Sequence, residues 1–122
     1  MVLLDSNIII YSAQSNQDSL RYWLKNQQLA TSIVSKIEVL GYHRISDYEI
    51  QMAKYYFSLC HIFKLENDYV NKAIELKQDK KMSLGDAIIA ATALKRRLPL
   101  VTANTKDFKH IENLEIIDPF KL

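Results

Sequence analysis

Ser83-Leu84-Gly85-Asp86-Ala87-Ile88-Ile89-Ala90-Ala91-Thr92-Ala93 is the stretch from which the fold is read. Its centre, Ala87 to Ala91, is apolar nearly all round, and a helix of that kind is buried rather than laid on a surface. Ser83 opens it and it runs to Arg97, where Lys95, Arg96 and Arg97 complement the negative end of the helix dipole. One charged residue, Asp86, stands at the mouth of this oily segment. A charge beside a buried surface needs a partner.

Outward from that helix, short β-like runs alternate with helical periods. Val2-Leu3-Leu4 reads as a first strand, residues 7 to 12 as a short helix, and Asp18 to Gln28 as a second helix. A strand is expected at Ala30 to Val34, a helix from Ser35 toward Tyr42, a helix over Asp47 to Leu59, and a strand at His61 to Leu65. Asp68 to Lys80 is an amphipathic helix, Leu100 to Thr102 a fourth strand, and Leu114 to Ile117 a fifth. Strands separated by helices imply βαβ units around a parallel sheet.

The 122 residues suit one domain, 1–122. Apolar residues at 48% and charged residues at 25% are those of an ordinary globular chain. A single cysteine, Cys60, excludes an internal disulfide framework and a cysteine-rich zinc site. No run approaches the ~20 apolar residues of a membrane span, and no basic region precedes the apolar N-terminus, so a cytoplasmic location is expected. His43, His61 and His110 lack zinc spacing and read as ordinary histidines. No Gly-rich phosphate loop and no nucleophile elbow is present.

The acids carry the chemistry. Asp5 ends the first strand, Glu38 and Asp86 are expected in the first turns of two helices, and Asp107 follows the fourth strand. In an open parallel sheet the carboxyl ends of the strands form the ligand-binding edge. Carboxylates gathered there repel and raise one another's pKa values, and a hard divalent cation offsets the repulsion through oxygen ligands. The competing reading is local: Ser35-Lys36-Ile37-Glu38 and Ser83-Leu84-Gly85-Asp86 both have the form of a capping box. Net charge is +2, from 16 bases and 14 acids; with four acids set against a metal, the 16 bases face only ten. A basic surround about an acidic pocket suits a polyanion.

Taken together these segments resemble the PIN-domain family. Asp5-Ser6-Asn7 after an apolar strand looks like its opening motif and Ser35-Lys36-Ile37-Glu38 like its second. Leu84-Gly85-Asp86-Ala87-Ile88-Ile89-Ala90-Ala91-Thr92-Ala93 is similar to its third and most specific, and Thr102-Ala103-Asn104-Thr105-Lys106-Asp107-Phe108 to its fourth. The short length resembles VapC-type toxin ribonucleases of toxin–antitoxin pairs. The resemblance implies a three-layer α/β/α fold with a central parallel sheet of four to five strands. It also implies Mg²⁺- or Mn²⁺-dependent RNA cleavage by a metal-activated water. Asp5 and Asp86 match the principal metal ligands, Glu38 and Asp107 the remaining acids, and Asn7, Thr102 and Asn104 the polar positions that support them. Asn104 stands where some relatives carry a further acid. A cognate antitoxin, an RNA substrate and a homodimer are implied as partners.

Lys36, Arg44, Lys80, Lys81, Lys106 and Lys109 lie near the motif segments and are the candidates for phosphate contact. Tyr22, Trp23, Tyr48, Tyr55 and Tyr56 exceed what two early helices need for a core, so either core packing or a partner groove uses them. Two other functions compete: a catalytically silent PIN fold that binds RNA or protein, and a phosphotransfer domain with Asp5 as acceptor. The second lacks the neighbouring aspartate and the lysine it needs.

Overall fold

The computed structural model describes residues 1–122. Five parallel strands form one sheet: β1 (Val2–Leu4), β2 (Leu29–Ser32), β3 (His61–Phe63), β4 (Leu100–Val101) and β5 (Ile116–Ile117), in the order β3-β2-β1-β4-β5. The helices are α1 (Ser6–Ser12), α2 (Asp18–Lys25), α3 (Ile33–Leu40), α4 (Asp47–Leu59), α5 (Asn67–Asp79) and α6 (Leu84–Arg96), with a 3-10 turn at Thr105–Asp107. The three-layer α/β/α architecture expected of the sequence is the one observed.

Alternation along the strands sends side chains to two cores. Leu3, Ala30 and Leu100 point into a cluster with α5 and α6, whereas Val2, Leu4, Leu29 and Val101 join α1, α2 and α4 on the other face. Burial on both faces explains why these strands are apolar throughout. The all-round apolar centre of α6 is buried as expected, from Ala87 to Ala93. Its four alanines in that span leave room for close approach to α5, its most extensive helical neighbour.

Several boundaries differ from expectation, β3 and β5 each being two residues shorter, and one difference matters for the site. β2 ends at Ser32 rather than Val34, because the Ser32 hydroxyl accepts the Val34 N–H at 3.1 Å and starts α3 at Ile33. The β-branched Ile33-Val34 pair, strand-like by propensity, is drawn into the helix by that cap. Glu38 therefore lies in the second turn of α3, and Ser35 is no cap. The second helix ends at Lys25, three residues short of Gln28, where Asn26 leaves helical geometry and its side chain donates to the Tyr22 carbonyl. No helix is long and apolar enough to cross a membrane.

The chain winds β1, β2, β3 outward and then crosses to β4 on the other side of β1. The strand order reverses between β1 and β4, and a crevice opens at their carboxyl ends. That switch point is where sheets of this kind bind ligands.

Candidate metal centre

Asp5 follows β1 and Thr102 follows β4, so the two residues face each other across the switch point. The Thr102 hydroxyl donates to Asp5 Oδ2 at 2.8 Å, and the Asn104 backbone N–H donates to that hydroxyl at 3.0 Å. Only 4% of Asp5 is exposed. Burial pushes its carboxyl from the ordinary 3.8 up to about 6; the Thr102 hydrogen bond opposes this, and Asp86 and Glu38 add repulsion in the same direction. Thr102→Val removes that donor. It should destabilise the protein by about 1–3 kcal/mol, more at pH 7.5 than at pH 4.5, as read by urea unfolding. An unchanged stability at pH 7.5 would deny the bond its role.

Glu38 is placed by a relay. The Ser6 hydroxyl lies 2.7 Å from Glu38 Oε1 and 2.9 Å from the Ser35 hydroxyl. With one proton to give, Ser6 donates to the carboxylate and accepts from Ser35. On its other side Glu38 lies against Gly85, where an added Cβ would overlap Oε2 and fall 2.9 Å from Cδ. Glu38 thus rests on the backbone of the residue before Asp86.

Asp86 sits in the first turn of α6. The Ser83 hydroxyl accepts its backbone N–H at 3.1 Å, but the Asp86 carboxylate returns no hydrogen bond to the Ser83 N–H. The capping box is half made, and the acid is left free for other work. Burial raises the Asp86 carboxyl above the ordinary range; the Ser83 hydroxyl opposes it, and Asp107 and Glu38 repel in the raising direction. Asp107 is exposed at the end of the 3-10 turn.

Asp5, Glu38 and Asp86 therefore lie within electrostatic reach at one sheet edge, and Asp107 joins them through Asp86. The sequence leads one to expect mutual repulsion as the main perturbation; burial is the larger cause, because Asp5 and Asp86 are set into the mouth of the core. No three acids, histidines or cysteines close into a ready-made cage. The donors are all carboxylate oxygen, two of them held at a cost that positive charge offsets. That is the donor set of a hard divalent ion, and Mg²⁺ needs only one or two such ligands beside its waters.

Of the polar positions matched to the motifs, Thr102 binds Asp5 directly. Asn104 contributes its backbone N–H, and neither its side chain nor that of Asn7 bonds an acid. Ser6, Ser35 and Gly85 hold Glu38 and were not singled out in the sequence. Lys80, Lys81, Lys106 and His110 share a cavity of about 510 Å³ with Asp86 and Asp107. Lys36, Arg44 and Lys109 are exposed and lie outside it.

The most voluminous groove, about 810 Å³, is elsewhere, at the amino ends of the strands. Tyr22, Tyr55, Tyr56, Leu59 and Met1 line it beside Arg21. Tyr22 and Tyr55 are 72% and 54% exposed, whereas Tyr56 is buried, so core packing accounts for Tyr56 and not for the other two.

A five-stranded parallel sheet with acids converging at its switch point defines a class that comparison with known proteins makes specific. The chain belongs to the PIN-domain family, whose model matches residues 2–114. Its place there is beside the VapC proteins: over 128 residues it is 31% identical to Ribonuclease VapC of Rickettsia bellii (strain RML369-C), an alignment covering 95% of this chain and 94% of that one. Among solved structures it resembles a chain of a toxin–antitoxin complex from Klebsiella pneumoniae (TM-score 0.76, 31% identity, 98% of each chain). It also shares the fold of a chain in VapBC2 from Rickettsia felis bound to a promoter DNA fragment (TM-score 0.82, 24% identity, 96% and 98% covered).

Proposed function

We infer that this protein is a divalent-metal-dependent endoribonuclease, the toxin of a toxin–antitoxin pair. The observation that carries the reading is the placement of Asp5, Glu38, Asp86 and Asp107 at one edge of the sheet, two with raised carboxyl pKa values. Burying Asp5 beside the repelling Asp86 and Glu38 has no structural benefit, and a silent binding fold has no use for it.

Asp5 and Asp86 would hold Mg²⁺ or Mn²⁺, with Glu38 and Asp107 binding directly or through water. When bound, the ion supplies Lewis-acid charge to the phosphate and lowers the pKa of a water. Thr102 fixes the Asp5 carboxylate, and the Ser35–Ser6 relay fixes Glu38 so that it can take a proton from the attacking water. The partly exposed Asp86 and exposed Asp107 leave the open side of the site toward substrate. The neighbours solved as toxin–antitoxin complexes support a protein antitoxin as regulator, for which the exposed aromatic groove is a seat; a homodimer belongs to the same reading.

The test is cleavage of a labelled mixed-sequence RNA pool. EDTA should abolish it, Mg²⁺ or Mn²⁺ should restore it, and Asp86→Asn should remain inactive with metal while unfolding at the wild-type temperature or above. Cleavage that survives EDTA, or survives in Asp86→Asn, overturns the reading.

A further inference from the structure

Lys80, Lys81 and Lys106 converge from two separate segments, the α5–α6 connection and the 3-10 turn, onto the cavity that Asp86 and Asp107 also line. None of the three is ion-paired: the only pairs in the protein are Arg21 with Asp18 and Lys72 with Glu75. Their placement is not loose, because Lys77 Nζ donates to the Met82 carbonyl at 2.8 Å and ties down the connection that carries Lys80 and Lys81. The two aspartates are the natural counter-charges, yet they are the residues committed to a divalent ion. With that ion bound, three cations remain in one cavity without an anion. Like charges so placed draw an anion from solution.

His110 adds a separate observation. It lines the same cavity, and both of its ring nitrogens are buried with no hydrogen-bond partner in the protein. Such a group is unfavourable as it stands. An anionic oxygen entering the cavity is a partner that would satisfy it.

We propose that the Lys80–Lys81–Lys106 cavity is a phosphate subsite that holds a phosphodiester neighbouring the one cut at the carboxylates. This rests on the nuclease reading and deepens it. The substrate is then a strand carrying at least two successive phosphodiesters. Part of its affinity is independent of sequence, because lysine meets phosphate as a point charge and reads no base edge.

The experiment uses the full chain with Mg²⁺ and a labelled single-stranded RNA oligonucleotide whose cut has been mapped. In the triple variant K80A/K81A/K106A, KM should rise on the order of tenfold at physiological salt with kcat within about threefold, and the log–log salt dependence should flatten by about 0.7, the loss of one phosphate contact on a single strand. The control variant K25A/K54A, on helices of the opposite layer, should match wild type. Replacing one phosphate beside the cut with an uncharged methylphosphonate should raise KM about tenfold for wild type and little further for the triple variant, since the two changes remove one interaction. An unchanged KM and salt slope in the triple variant, with cleavage intact, overturns the subsite and leaves the nuclease standing. Additive losses from variant and methylphosphonate also overturn it. Absence of metal-dependent cleavage by wild type overturns both.

Discussion

Asp5→Asn should make the metal-free protein more stable at neutral pH while abolishing cleavage. Asp5 loses its proton at about 6 in the fold, against 3.8 for an ordinary aspartate. An acid raised in this way favours the folded state fully below pH 3.8, and that advantage is lost as pH rises through 6. At pH 7.5 the buried charge then costs the fold on the order of 3 kcal/mol. Asparagine keeps the shape and can still accept from Thr102, so it removes the charge without a cavity. In EDTA the variant should exceed wild type by about 2–3 kcal/mol at pH 7.5, with the gap closing toward pH 4. Mg²⁺ should close the gap at 100 times its Kd, where it adds about 2.7 kcal/mol to the protein that binds it, and reverse the order at 1,000 times, where it adds about 4.1 kcal/mol. Cleavage should fall by at least about a thousandfold, the scale of losing a directly acting charge. Urea unfolding across pH, with and without Mg²⁺, reads the first two effects. A variant less stable than wild type in EDTA at pH 7.5 would mean that the protein itself already neutralises Asp5, and the metal centre would lose its physical basis.

The general plan was legible because local rules and packing agree along most of the chain. The all-round apolar run at Ala87–Ala91 requires a buried helix, and the unbroken apolar run Val2-Leu3-Leu4 has a use only in a sheet covered on both faces. α4 was placed from Asp47 to Leu59, and the structure shows why: Ser46 and Glu49 form a complete capping box at its start. The edge at which acids gather follows from strand order, which βαβ logic supplies. Two departures occur where particular side-chain hydrogen bonds decide. Ile33 and Val34 look like strand residues, and only the Ser32 hydroxyl cap makes them helical. Ser6 and Ser35 are 29 positions apart, and Ser35 reads as a helix cap until the fold brings both hydroxyls to Glu38. Their positions inside the first two motifs, one residue after Asp5 and three before Glu38, were the available signal. His110 had none, since an isolated histidine shows nothing of the lysines it meets. The relative weight of burial and repulsion at Asp5 was also unreadable, because depth in a core is a property of the packed chain.

Gly85→Ala should leave a protein as stable as wild type, or more so, that has lost nearly all activity. Gly85 is the second residue of α6, and in a helix alanine is favoured over glycine by up to about 1 kcal/mol. Its backbone is helical and no positive φ is involved, so alanine meets no strain there. What glycine provides is space. An added Cβ would clash with Glu38 Oε2, and the atom that must give way is the free end of a side chain, not backbone. The carboxylate is therefore pushed from Gly85 and off its 2.7 Å bond to Ser6, while the fold has nothing to repair. A displacement of about 1 Å at a catalytic group costs on the order of 100-fold in rate. The cycle with Glu38→Gln separates this cause from others: if Gly85 acts only by making room for Glu38, the double variant should be little slower than Glu38→Gln alone. Thermal unfolding checks the fold in the same samples. Multiplying losses in the double variant, or a Gly85→Ala protein destabilised by more than about 1 kcal/mol, would show that the glycine serves the helix and not the carboxylate beside it.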